Sequence, residues 1–234
     1  DMQHTFYEAE KFNQPLHNWN VSKVIDMSGM FNGARAFNQN INTKKVTVNG
    51  KKYIAWDVSN VATMNSMFLV AKKFNQPLHN WNVSNVEQMI SMFKEASSFN
   101  QNINTKQVTV NGKKYNAWDV SNVTTMNSMF LAAKKFNQPL HNWNVSNVEQ
   151  MIWMFQGASS FNQNINTDQV TVNGVTYTAW DVSNVITVYE MFNGAKKFNQ
   201  PLHNWDVSNV EDMSGMFWGA KKFNQPLNEW NVSN

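Results

Sequence analysis

Eight tryptophans, each followed two residues later by Val, stand at positions 19, 56, 81, 118, 143, 180, 205 and 230. Their spacings run 37, 25, 37, 25, 37, 25 and 25. A fixed period of this size is the signature of a repeat architecture, in which no unit buries its apolar face alone and neighbours must stack. The unit is therefore 25 residues, and three units carry 12 more. One short and one long unit make a 62-residue super-repeat, and residues 68–129 and 130–191 differ at only 12 of 62 positions.

Within one unit the apolar pattern is Leu16-x-x-Trp19-x-Val21-x-x-Val24-x-x-Met27-x-x-Met30-Phe31-x-x-Ala34-x-x-Phe37. The Trp-x-Val pair has the period of two that suits a short strand. Val24, Met27, Phe31 and Ala34 fall at helical spacing, and Ser22 stands just before them. The Ser recurs at 59, 84, 121, 146, 183, 208 and 233, and Ser84/Glu87, Ser146/Glu149 and Ser208/Glu211 have the form of a capping box. Each unit is thus predicted as strand, Ser cap, short helix and Phe-Asn turn.

Stacking such units predicts an α/β repeat solenoid, leucine-rich-repeat-like, with short parallel strands on one face, short helices on the other and three inserted β-hairpins. Residues 1–234 would form a single solenoid domain of about eight 25-residue coils. Because the first residues overlay a point late in the unit, and Trp230 to Asn234 end partway through one, the chain reads as cut from a longer array. The insertions lie near 43–54, 105–116 and 167–178, each with an Asn-Gly pair that calls for a two-residue type I′ turn. Hairpins recurring every second coil, about 10 Å apart, are expected to pair edge to edge into a six-stranded antiparallel sheet; three separate flaps are the alternative.

The longer phrase FNQPL-x-x-W-x-VSNV-x-x-M-x-x-MF-x-x-A resembles the 25–26-residue repeat of BspA-like bacterial surface proteins, as found in mycoplasma-type surface lipoproteins. The resemblance covers nearly the whole chain, and the 12-residue insertion departs from it. It implies an extracellular or cell-surface array used in adhesion or host contact, with no catalytic activity.

Most repeated side chains have a structural explanation. Asn13, Asn38, Asn75, Asn100, Asn137, Asn162, Asn199 and Asn224 follow the turn Phe, where a ladder of amides would satisfy backbone groups of adjacent coils. The tryptophans and the 14 methionines are expected in the core. His17, His79, His141 and His203 recur only in short units, too far apart to share a metal. The Lys pairs Lys72-Lys73, Lys134-Lys135, Lys196-Lys197 and Lys221-Lys222 follow each expected helix and would complement its dipole.

Two sets remain as candidate binding residues. One is a strip between Trp and Val, a docking row or equally a solvated ladder: Asn20, Asp57, Asn82, Asp119, Asn144, Asp181, Asp206 and Asn231. The other is a set of apolar side chains at off-core positions of the expected helices, Ile90 and Ile152 together with the departures Trp153, Tyr189 and Trp218, which would form an exposed contact patch or, equally, pack laterally between neighbouring helices. No phosphate loop, catalytic triad, recurring carboxylate pair or metal-ligand spacing stands out, so no catalytic, cofactor-binding or metal-binding residue is assigned. A net charge of +3 without a basic stripe argues against nucleic acid. There is no apolar run long enough to span a membrane, and no cysteine. The expected role is a non-catalytic, cell-surface repeat that presents a binding face to a protein or glycan on another cell or surface. The alternative is a self-assembling filament or surface layer whose hairpins and apolar outliers mediate contacts between copies.

Overall fold

In the computed structural model the described residues are 1–233, and Asn234 lies outside them. Their only strands are β1 (Lys44–Val48), β2 (Lys51–Ala55), β3 (Lys106–Val110), β4 (Lys113–Ala117), β5 (Asp168–Val172) and β6 (Val175–Ala179). They pair as β1–β2, β3–β4 and β5–β6, three separate two-stranded antiparallel sheets.

The described residues contain no helix, which overturns the expected α/β solenoid. The segment assigned to the helix is wound in three-residue turns instead. In the first unit the N–H groups of Trp19, Val24, Met30, Ala34 and Phe37 donate to the carbonyls of Leu16, Val21, Met27, Phe31 and Ala34. Each donor and acceptor is an apolar residue of the repeat. Two left-handed residues per unit break any helical path: Gly29 and Gly33 in the first, Ser66 and Val70 in the second, Ser91 and Glu95 in the third. Between the turn bonds, alternate N–H groups reach the next unit. Met27, Gly29, Phe31 and Gly33 donate to Thr63, Asn65, Met67 and Leu69.

The parallel pairing also falls elsewhere than expected. The Trp-x-Val segments form no strand, and the parallel bridges join Asp26, Thr63, Gln88, Thr125, Gln150, Thr187 and Asp212, inside the segment predicted as helix. The Ser-x-x-Glu motif is no capping box: the Glu87, Glu149 and Glu211 N–H groups donate to Ala62, Thr124 and Ile186 of the preceding unit.

The reason lies in the spacing of the rings. Phe31, Phe68, Phe93, Phe130, Phe155, Phe192 and Phe217 stack in one column at 5.4–5.8 Å. Trp56, Trp81, Trp118, Trp143, Trp180, Trp205 and Trp230 form another at 6.2–6.5 Å, their planes within 8° of parallel. Side-by-side helices need about 8–10 Å between axes, which would pull these columns apart. An isolated ten-residue helix is marginal in any case. Hydrogen-bonded turns allow the closer approach and satisfy the N–H groups through the next unit.

For clarity the complete units are numbered from their first apolar residue: Leu16 (unit 1), Ile41 (2), Leu78 (3), Ile103 (4), Leu140 (5), Ile165 (6) and Leu202 (7). The core is one continuous cluster that runs through all of them. Trp56, Trp81, Trp118, Trp143 and Trp180 are fully buried, and each indole N–H donates to the Leu or Ile carbonyl of the preceding unit at 2.8–3.0 Å. Met27, Met64, Met89, Met126 and Met151 are fully buried in the same core cluster. Outside the core, each turn asparagine accepts from the next unit. Asn75 Oδ1, for example, takes the Asn100 N–H at 2.9 Å and Gln101 Nε2 at 3.0 Å. A second ladder runs from each Asn of the Val-Ser-Asn motif to the preceding unit's Ser carbonyl, as from Asn85 to Ser59 at 2.7 Å.

The hairpins turn at Asn49-Gly50, Asn111-Gly112 and Asn173-Gly174, all with positive φ as a type I′ turn demands. They do not form the six-stranded sheet. The hydroxyls of Tyr53, Tyr115 and Tyr177 donate to the Asn18, Asn80 and Asn142 carbonyls of the preceding short unit. Each hairpin is thereby laid back along the stack, and the tip of one meets the base of the one before it. Gln107 on β3 bonds the tip residue Asn173. The hairpins overlap end to side, an arrangement that leaves no edges facing for pairing.

Candidate functional site

The strip residues occupy one point per unit on a single column. In every member the Oδ1 oxygen accepts the N–H of the Ser two residues on: Asn20 to Ser22, Asp57 to Ser59, Asn82 to Ser84, Asp119 to Ser121, Asn144 to Ser146, Asp181 to Ser183 and Asp206 to Ser208, at 3.1–3.2 Å. Asn231 does the same for Ser233. These are Asx turns, in which a side chain stands in for a backbone turn. One oxygen of each strip side chain is thus engaged in holding the turn. Asp57 to Asp181 are half-buried, while Asn20 and Asp206 are exposed. Hydrogen bonds from the Ser208 hydroxyl and N–H hold the Asp206 carboxyl below its ordinary value.

The structure brings part of the strip under a hairpin. Asp57, Ser59 and Asn82 share a groove of about 130 Å³ with Thr43 and Ile54 at the base of the first hairpin and Val110, Asn111, Lys113 and Tyr115 of the second. Burial, and then the Asp57 charge, push the Tyr115 hydroxyl up to about 12. Tyr177 reaches about 12 in the same way, with Asp119 as its neighbour. His79 is pulled below its ordinary value by burial and by Lys106, and it lies 3.3 Å from Asn42 Nδ2. The Lys pairs are exposed as expected of surface cations, but no helix dipole accompanies them.

The contact patch divides. Ile90 and Ile152 are half-buried and lie two units apart, separated by Asn127 of unit 4, whose Oδ1 accepts the Ile152 N–H. Trp153 and Tyr189 come together on adjacent units, ring centroids 5.9 Å apart in an edge-on arrangement. Trp218, 72% exposed, follows on unit 7 beside Asn193, its carbonyl accepting the Gly194 N–H. Between these rings lies a polar array that the sequence reading missed. Glu190 Oε2 accepts from Gln156 Nε2 at 2.5 Å and from Asn193 Nδ2 at 2.8 Å. The signal was present: Gln156 and Glu190 replace Lys94 and Ser128 of the sister copy. Hydrogen bonding to Glu190 and its charge raise the Tyr189 hydroxyl above its ordinary value.

Among the described residues no group of three or more His, Cys, Asp or Glu side chains is placed to hold a metal ion, and no helix is long and apolar enough to cross a membrane. A family model described as "Mycoplasma protein of unknown function, DUF285" matches the sequence in four tandem segments, residues 1–53, 47–116, 107–179 and 173–234. No curated protein and no solved structure matches it.

Proposed function

The chain belongs to this mycoplasma repeat family of unknown function along its whole length, and from that premise we propose that it is a non-catalytic module displayed at the cell surface, where its outer side chains engage a protein or glycan on another cell. The finer likeness to the BspA-like surface repeat supports adhesion or host contact as the purpose. One observation carries the reading. The repeated residues are consumed by columns and ladders inside the stack, while the departures that create exposed aromatic groups, Trp153 and Trp218, lie on its exterior. A rigid stack that presents several weak contacts gains avidity without any single strong site. Beads coated with the purified chain are expected to adhere to host-type cells more than beads coated with an inert protein. Equal adhesion by the two would remove the reading.

The runner-up is assembly of like copies. It is favoured by the three two-stranded sheets, whose outer edges carry no strand partner among the described residues, since a free edge can accept another strand. Electron microscopy of concentrated protein separates the two: ordered polymers support assembly, and persistent monomers support display.

A further inference from the structure

We infer that Trp153, Tyr189 and Glu190, with Gln156, Asn193 and Trp218 beside them, form a saccharide-binding subsite on the outside of units 5–7. This inference rests on the reading of the chain as a binding module and names the ligand class of one surface.

The first support is where the copies diverge. Residues 68–129 and 130–191 are nearly identical, yet Ser91, Lys94, Glu95, Asn127 and Ser128 become Trp153, Gln156, Gly157, Tyr189 and Glu190. Four of them, Trp153, Gln156, Tyr189 and Glu190, meet in one cluster across two adjacent units. The second is the residue placed on a shared turn. Trp153 holds φ +56 at a position filled by Gly29, Ser66, Ser91, Ser128, Glu190 and Gly215 in other units, all left-handed as well. The conformation belongs to the turn, and the large aromatic side chain is what is particular to unit 5. Nothing in the core requires the ring, since Trp153 is 38% exposed.

The chemistry selects the ligand. A pyranose ring has an apolar C–H face and a rim of hydroxyls. An exposed indole steadied edge-on by Tyr189 suits the face; the Glu190 carboxylate offers acceptors to the rim, and the Gln156 and Asn193 amides that donate to it add N–H donors. An apolar partner would need a contiguous apolar patch, and here the rings are divided by Glu190, Gln156 and Asn193. A polyanion would need added cations, whereas the change from the sister copy removes Lys94 and adds Glu190. Trp218 stands two units beyond Trp153, about 10 Å along the stack, which suits successive residues of a sugar chain better than one monosaccharide.

The test uses the full chain and three reversions to the sister copy: Trp153→Ser, Tyr189→Asn and Glu190→Ser. Ser91 and Ser128 already hold φ +56 and +58 at the positions of Trp153 and Glu190, so serine fits these backbones. Calorimetric titration with dextran, mannan, galactan and N-acetylglucosamine oligomers is expected to show binding to at least one. Each reversion should weaken that binding about tenfold or more with unchanged thermal unfolding. Binding to none, or binding that survives all three reversions, overturns the inference. The bead-adhesion assay tells the two failures apart. If cells are bound and Trp153→Ser releases them while no saccharide binds, the partner is a protein, and the module reading stands without the saccharide. If beads and saccharides both fail to bind, the two fall together.

Discussion

Asn100 accepts from the Asn137 N–H at 2.9 Å and from Gln138 Nε2 at 3.1 Å. Asn100→Ala leaves a half-buried N–H without its acceptor, so urea denaturation should show a loss of about 1–3 kcal/mol. Asn85→Ala removes one bond from an exposed amide, and water can replace it; a loss below about 1 kcal/mol is expected. Tyr115 and Tyr177 give a pH prediction. Their hydroxyls are raised in the folded chain from 10.0 to about 12. Below the ordinary value both states are protonated and nothing is lost. As pH rises from 10.0 towards about 12, the unfolded chain releases these protons first, so stability falls across that window. The double variant Tyr115→Phe/Tyr177→Phe should show a shallower fall over the same range in denaturant titrations. At this scale much was readable in advance. The amide ladder and the buried indoles follow from the types of residue that repeat, because buried rings and turn amides have few other uses. Glu190 was readable only as a departure from Ser128; its bonds to Gln156 and Asn193 follow from the left-handed turns that bring these side chains together.

The turns and hairpins behave as separate elements. In the short unit 3, two residues separate Leu78 from Trp81; in unit 4 the same gap is bridged by the hairpin β3–β4. Excising Lys106–Ala117 from unit 4 leaves Ile103-Asn104-Thr105-Trp118, the spacing of a short unit. The shortened chain is expected to fold with its indoles still buried and with cooperative unfolding; loss of folding would show that the hairpin is part of the core. The excision should also relieve Trp118 of its φ of +52, a conformation found at the hairpin-unit tryptophans Trp56, Trp118 and Trp180. The hairpins were legible in the sequence because Asn-Gly between Val-rich runs has few other conformations. The turns were not. Val24, Met27, Phe31 and Ala34 suit a period of 3.6, but Val21, Val24, Met27 and Met30, then Phe31, Ala34 and Phe37, step by three. Three is the reach of the turn bonds that form. Burial of Met30 does not separate the two, since Met27, Met30, Phe31 and Ala34 also stand at i, i+3, i+4 and i+7 and would share one face of a helix. Local pattern decided for the helix; the ring spacing between units decides against it.

In the whole molecule each unit bonds mainly to its neighbours, so stability should be distributed along one axis. Phe130 is fully buried and stacks on Phe93 and Phe155. Phe130→Ala opens a cavity in mid-column and should cost about 3–5 kcal/mol. Hydrogen exchange should then show the greatest loss of protection in units 3–5, with the terminal turns around Phe6 and Phe223, already part-exposed, little changed from their faster baseline. Uniform loss along the whole chain would mean that the stack unfolds as one piece. The indole column has an optical consequence as well. Seven nearly parallel chromophores at 6.2–6.5 Å lie close enough for their excited states to mix. Light absorbed by one is shared along the row, so the folded chain should show a split circular-dichroism band in the indole region and strongly depolarised emission. Both disappear when the rings separate, which makes the intact stack visible without any added label.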